Sequence, residues 1–159
     1  MGTNVEVGEK APSFTLFDED RNQRSLGELL EGNLVVAFYP GAFTSVCTQE
    51  MCSLRDSLAK FNELDTKVVG ISVNDPFTNK AFAEQNQLNF PLLSDYDRKT
   101  VREYGIALDD FAGMTGYTAA KRSVFILDKE GTIRYKWVSE DPAVEPDYGE
   151  IEIKLSEMG

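Results

Sequence analysis

The stretch Asn33-Leu-Val-Val-Ala-Phe-Tyr39, running directly into Pro40-Gly-Ala-Phe-Thr44-Ser-Val-Cys47, decides the fold. An unbroken apolar run bounded by Pro-Gly reads as a strand buried on both faces. A helix is expected to open at Thr44 or Ser45, which puts the sulfur of Cys47 in the first helical turn. There the unpaired backbone N–H groups and the positive end of the helix dipole favour a thiolate over a thiol. A free cysteine is ordinarily a small buried hydrophobe. A cysteine at a helix start behind Pro-x-x-x-Thr instead reads as a reactive one.

Working outward, Cys47, Met51, Leu54, Leu58 and Phe61 recur at steps of four, three, four and three, so they share the inward face of a helix over 45–64. Cys47 is thus expected at the N-terminal edge of the buried stripe, partly sheltered from water. Cys52 lies five residues on, turned about 140° away and grouped with Arg55, Asp56 and Ala59 on the flank. In an intact helix the two Cα atoms stand about 7.5 Å apart along the axis and face different ways. A disulfide needs them closer than about 7 Å with converging Cβ vectors, so pairing would require the first turns to unwind.

The rest of the chain alternates. Strands are expected over 67–73, 90–93, 122–128 and 132–138, the last two joined by a tight turn at Lys129-Glu-Gly131. Helices are expected from Pro76 to Asn86 and over 98–104. The tail 148–157 reads as a helix, although Ile151, Ile153 and Leu155 alternate as a strand would. Residues 12–30 form an N-terminal extension: Phe14-Thr-Leu-Phe17, a polar turn at 18–22, and a capping-box pattern Ser25-Leu-Gly-Glu28 opening a helical turn through Leu30. This order implies an α/β fold with a mixed central sheet and helices on both faces. The chain, residues 1–159, reads as a single domain.

Composition narrows the function classes. Sixteen Lys plus Arg against 27 Asp plus Glu give a net charge of −11 with no basic cluster, so a nucleic-acid role lacks its electrostatic footprint. An acidic field repels anionic substrates and leaves a neutral one such as hydrogen peroxide unaffected. There is no histidine, which removes the usual general base and the commonest metal ligand, and two cysteines cannot close a zinc site. No metal site is therefore expected. The N-terminus shows no secretory pattern and the longest apolar run, Leu34 to Phe43, is too short to span a bilayer. The expected setting is cytoplasmic, where two closely spaced cysteines read as catalytic.

Lys121-Arg122 opens a strand behind the loop Gly113-Met-Thr-Gly-Tyr-Thr-Ala-Ala120. An arginine entering a central strand is costly to bury unless it meets a negative group, and a thiolate at the strand ends would serve. The exposed-edge alternative remains open on these residues alone. Gly116-x-x-x-x-Lys121 lacks the further pattern of a phosphate loop.

With these residues assembled, the chain resembles the peroxiredoxins over essentially its full length. Their signature, Pro-x-x-x-Thr-x-x-Cys with a distant arginine, is matched by Pro40, Thr44, Cys47 and Arg122. The resemblance implies a thioredoxin-like fold with an N-terminal extension and hydroperoxide reduction without a prosthetic group. By position, Cys47 would attack the peroxide O–O bond and become a sulfenic acid. Thr44 would orient the peroxide, Pro40 would shield the pocket, and Arg122 would stabilise the thiolate and the leaving oxygen.

Cys52 and the Thr48-x-Glu50 segment resemble the Prx Q, or bacterioferritin-comigratory, subgroup, in which a cysteine five residues downstream resolves the sulfenate. Ser45-Val46 stands where that subgroup often has Pro-Gly, and Gly41-Ala-Phe-Thr44 is nearer other subgroups, including one-cysteine enzymes. The implied partners are a hydroperoxide and a thioredoxin-like reductant, with the chain a monomer or homodimer. The alternatives are resolution by an external thiol, a thioredoxin-type thiol–disulfide oxidoreductase, and a non-catalytic module of the same fold. The absence of Cys-x-x-Cys weighs against the oxidoreductase.

Overall fold

The computed structural model describes residues 5–158. In chain order its elements are β1 (Thr15–Phe17), β2 (Gln23–Ser25), α1 (Leu26–Leu29), β3 (Asn33–Phe38), α2 (Ser45–Glu63) and β4 (Thr66–Ser72). There follow α3 (Pro76–Gln85), β5 (Leu92–Ser94), α4 (Lys99–Glu103), β6 (Ala107–Leu108), β7 (Ala119–Ala120), β8 (Ser123–Leu127), β9 (Ile133–Val138) and α5 (Tyr148–Met158).

Seven strands form one sheet in the order β2-β1-β5-β4-β3-β8-β9. β3 lies in its interior, parallel to β4 and antiparallel to β8. That placement follows from its composition, because a strand with no polar face has to be covered on both sides. Leu34, Val36 and Phe38 point into one core with Leu26, Leu29, Val101 and Tyr104, from α1 and α4. Val35, Ala37 and Tyr39 point into the other with Met51, Phe61, Phe82, Ile151 and Leu155, from α2, α3 and α5. The mixed sheet with helices on both faces is thus the observed architecture.

The N-terminal extension is built as its turn chemistry dictates. Glu28 N–H donates to Ser25 Oγ (3.3 Å) and Ser25 N–H to Glu28 Oε1 (3.1 Å), closing the capping box of α1. β1 and β2 pair antiparallel and extend the sheet beyond β5.

The tail is the expected helix, because Ile151 and Leu155, at a spacing of four, both reach the core while Ile153 stays 63% exposed. Two other expectations change. The strand expected over 90–93 begins at Leu92 and pairs through Ser94. Pro91 cannot donate to a ladder, and its carbonyl instead accepts from Gly70 N–H (3.0 Å). The loop expected at 113–120 ends in a strand, Ala119-Ala120, which pairs with Ala107-Leu108. Two-residue strands of alanine carry too little pattern to be read from sequence.

Gly70 in β4 leaves no room for a side chain. A Cβ there would lie 2.8 Å from Leu92 Cδ2, 3.3 Å from Tyr39 Cε1 and 3.4 Å from Met51 Sδ. Gly70→Val is expected to cost about 1–3 kcal/mol by overpacking and to lower the thermal midpoint by several degrees. Gly27→Ala, with open space around the new methyl, is expected to raise it through helix propensity. Circular-dichroism melts of the two variants check both signs.

Candidate active site

Tyr39 ends the central strand run, Pro40 is buried behind it, and the chain turns through Gly41 and Ala42 into α2. Two features fix that turn. Ala42 N–H donates to Asn74 Oδ1 (2.8 Å), tying the loop to the tip of β4. Phe43 adopts a left-handed backbone (φ 67°), a costly conformation for a residue with a Cβ, while its ring packs edge-on against Phe82 at 5.2 Å. Thr44 is the N-cap of α2 with extended backbone. Its hydroxyl donates back to the Gly41 carbonyl (2.8 Å) and makes no capping bond, which leaves its lone pairs facing out from an exposed residue.

Cys47 is fully buried rather than partly sheltered. The helical pattern places it at the open end of the apolar stripe, and Arg122 closes over that end. Nη2 of Arg122 donates to Cys47 Sγ at 3.2 Å. The arginine that sequence left as either exposed or thiolate-bound is 2% exposed, immediately ahead of β8. β8 lies antiparallel to β3, so its first residues stand beside the end of β3 from which the Cys47 loop departs. Topology thus brings together groups 75 residues apart.

The guanidinium has two further partners. Nη1 donates to Glu50 Oε1 (2.7 Å), a pair with neither side chain reaching water. Nε (3.1 Å) and Nη2 (2.7 Å) both donate to the carbonyl of Pro142. Glu50, one turn beyond Cys47, has no hydrogen-bond partner for its second oxygen, Oε2. Burial pushes its carboxyl up to about 7, against the opposing pull of Arg122. Desolvation of the guanidinium is in turn outweighed by the facing carboxylate and sulfur, so Arg122 holds its proton more firmly than a free arginine. One cation therefore serves two groups that can each carry a negative charge. Among the described residues no cluster of His, Cys, Asp or Glu could hold a metal ion.

Of the four residues the family resemblance grouped, Arg122 donates to Cys47, while Pro40 and Thr44 lie in the segment that leads into α2. Cys52 stands apart. It is half-buried on the flank of an unbroken α2, both cysteines are free, and its Sγ lies 3.7 Å from Asn86 Oδ1 at the end of α3. Three participants escaped the sequence reading: Glu50 as the partner of Arg122, Asn74 and the Pro142 carbonyl. A glutamate one helical turn after Cys47, on the stripe side, is the signal that could have found the first. Nothing in the sequence marks the other two as neighbours of the site.

The chain matches the AhpC/TSA family over residues 7–136. It is 41% identical over 130 residues to the chloroplastic peroxiredoxin Q of Populus jackii, covering 82% of this chain and 59% of that protein. It therefore spans little more than half the length of that relative. In structure it superposes on the peroxidoxin BcpB of Mycobacterium tuberculosis with a TM-score of 0.88 at 28% identity, covering 98% and 99% of the two chains. A peroxiredoxin-like protein from Aquifex aeolicus follows at 0.87 and 26%, covering 99% and 90%. The fold is thus the thioredoxin-like fold of those proteins.

The raised Glu50 carboxyl gives a stability signature. Its folded-state value lies above its ordinary 4.5, so the folded chain holds the extra proton and stability from this group is lost as pH rises from 4.5 to about 7. Measured against Glu50→Gln by denaturant titration, the native protein is expected to lose up to about 3 kcal/mol across that window. A difference independent of pH would contradict the assignment.

Proposed function

The chain belongs to the AhpC/TSA family, the peroxiredoxins, and on that premise we propose that it is a thiol-dependent peroxidase for hydrogen peroxide and small organic hydroperoxides. The observation that carries the reading is the buried Arg122 guanidinium on Cys47 Sγ at 3.2 Å. A cation held there stabilises the thiolate that does the attacking and the charge that develops on the departing oxygen. A thiol kept merely as core filling has no use for a desolvated guanidinium, which speaks against a non-catalytic module.

The Cys47 thiolate attacks one peroxide oxygen. The S–O bond forms as the O–O bond breaks, and the departing alkoxide or hydroxide takes up a proton to leave as alcohol or water. The Thr44 hydroxyl, already donating to Gly41, accepts the O–H of the incoming peroxide and aims it at the sulfur. Pro40 removes a backbone donor that would otherwise hydrate the pocket. In the second step the Cys52 thiolate attacks the Cys47 sulfenic sulfur, the S–S bond forms, and hydroxide departs to be protonated to water. A thioredoxin-like dithiol then exchanges with this disulfide and restores both thiols.

The unbroken α2 and the contact of Cys52 with Asn86 mean that the first turns of the helix must unwind before the two sulfurs meet. That same separation favours a second reading, in which an external thiol resolves the sulfenate.

The intact mass after one equivalent of hydrogen peroxide separates the two. A loss of about 2 Da, abolished by Cys52→Ser, is the expected result and marks the intramolecular disulfide. A gain of about 16 or 32 Da, unchanged by Cys52→Ser, assigns resolution to an outside thiol. No mass change with Cys47 still free would overturn the peroxidase reading.

A further inference from the structure

The guanidinium of Arg122 makes more bonds to the Pro142 carbonyl than to any other group, and that carbonyl lies in a segment the chemistry above does not use. The β8–β9 hairpin sets Ser139 opposite Arg122, and Ser139 N–H donates to the Arg122 carbonyl at 2.9 Å. The chain then doubles back over its own arginine in a turn from Asp141 to Val144, closed by Val144 N–H on the Asp141 carbonyl (3.1 Å). Asp at the first position and Pro at the second are what such a turn selects. Its central peptide carries the Pro142 carbonyl, which points at Nε and Nη2.

Two side chains lock the turn from outside. Asp141 Oδ1 accepts from Ala143 N–H (2.9 Å). Ser139 Oγ donates to the Asp141 carbonyl (2.8 Å) and accepts from Asp141 N–H (3.1 Å). Asp141 through Val144 are exposed, and none of them belongs to either hydrophobic core.

We propose that Asp141 is a positioning residue of the Cys47 site, acting through the turn that presents the Pro142 carbonyl to Arg122. An uncharged acceptor suits this task. A second carboxylate at the same place would draw the cation away from the sulfur, whereas a carbonyl satisfies Nε–H and one Nη2–H and leaves the positive charge to Cys47 and Glu50. With that carbonyl fixed, the other Nη2–H has one direction left, toward Cys47 Sγ. When the carbonyl is loose, Arg122 keeps its ion pair with Glu50 and can swing about it, away from the sulfur. The proposal rests on Arg122 acting on the Cys47 thiolate, as the proposed function holds.

The test compares Asp141→Ala with Asp141→Asn. Asparagine retains Oδ1 as an acceptor for Ala143 N–H and loses only the charge; alanine loses both. Two rates are read: peroxide consumption, and iodoacetamide alkylation at Cys47 across pH, located by peptide mass. Asp141→Ala is expected to slow both roughly tenfold near neutral pH and to move the alkylation profile to higher pH, with the thermal midpoint within a few degrees of the parent. Asp141→Asn is expected to stay within about twofold of the parent in both. Ser139→Ala, which removes the other lock, should shift the alkylation profile in the same direction as Asp141→Ala.

Equal losses in the alanine and asparagine variants would overturn the proposal in favour of a through-space charge effect. An unshifted alkylation profile in Asp141→Ala and Ser139→Ala would overturn it outright. If the parent consumes no peroxide, the peroxidase reading fails, and the alkylation profiles still decide whether the turn aims Arg122 at the sulfur.

Discussion

A guanidinium withdrawn from water and set against a sulfur is the constraint around which this molecule is arranged. Removing a cation from solvent is expensive, and it persists only where acceptors fill its fork. Here they come from three directions: the sulfur of Cys47 and the carboxylate of Glu50 on α2, and the carbonyl of Pro142 beyond β9. Two sit on α2 and the third beyond β9, and the pairing of β3 with β8 makes them converge. β3 delivers the chain into α2 from its C-terminal end, and β8, antiparallel beside it, begins at that same end. A parallel β8 would have carried Arg122 to the opposite edge of the sheet.

The acid–base character of the site follows. Glu50 and Cys47 compete for one cation, and burial raises the carboxyl of Glu50 into the neutral range. When Glu50 is protonated the positive charge falls mainly to the sulfur; when it is ionised the charge is shared. The chain, which has no histidine, thus places a carboxylate that is only partly compensated beside the cation that meets its thiol. The unpaired Glu50 Oε2 is the structural trace of that incomplete compensation.

Much of this was legible in the sequence, for identifiable reasons. The apolar run 33–39, the helical spacing from Cys47 to Phe61 and the capping box at Ser25 are local patterns with one dominant solution each. Arg122 was legible only as a question, because an arginine at a strand start has two ordinary fates and the choice between them depends on what lies opposite, 75 residues away. Full burial of Cys47 was not legible at all. A helical wheel describes one helix, whereas the sulfur is covered by groups from beyond that helix. Asn74 and Pro142 act through an amide oxygen and a main-chain carbonyl aimed by turns, and side-chain identity does not announce that kind of contact. The short β6–β7 pair stayed hidden because alanines carry neither alternation nor bulk.

The complete occlusion of Cys47 separates two properties that a reactive thiol usually carries together. In the proposed reaction nucleophilic strength is set by Arg122 inside, while admission is set by the packing outside. With Cys47 fully buried, a reagent reaches the sulfur only where the packing around it yields, which favours a compact neutral molecule over a bulky electrophile. The acidic exterior, at net charge −11, turns anions away before they reach it. Discrimination of this kind is exercised by traffic rather than by recognition. In the proposed reaction it precedes the orientation of the peroxide at Thr44, and it shields the buried thiol from bulkier reagents.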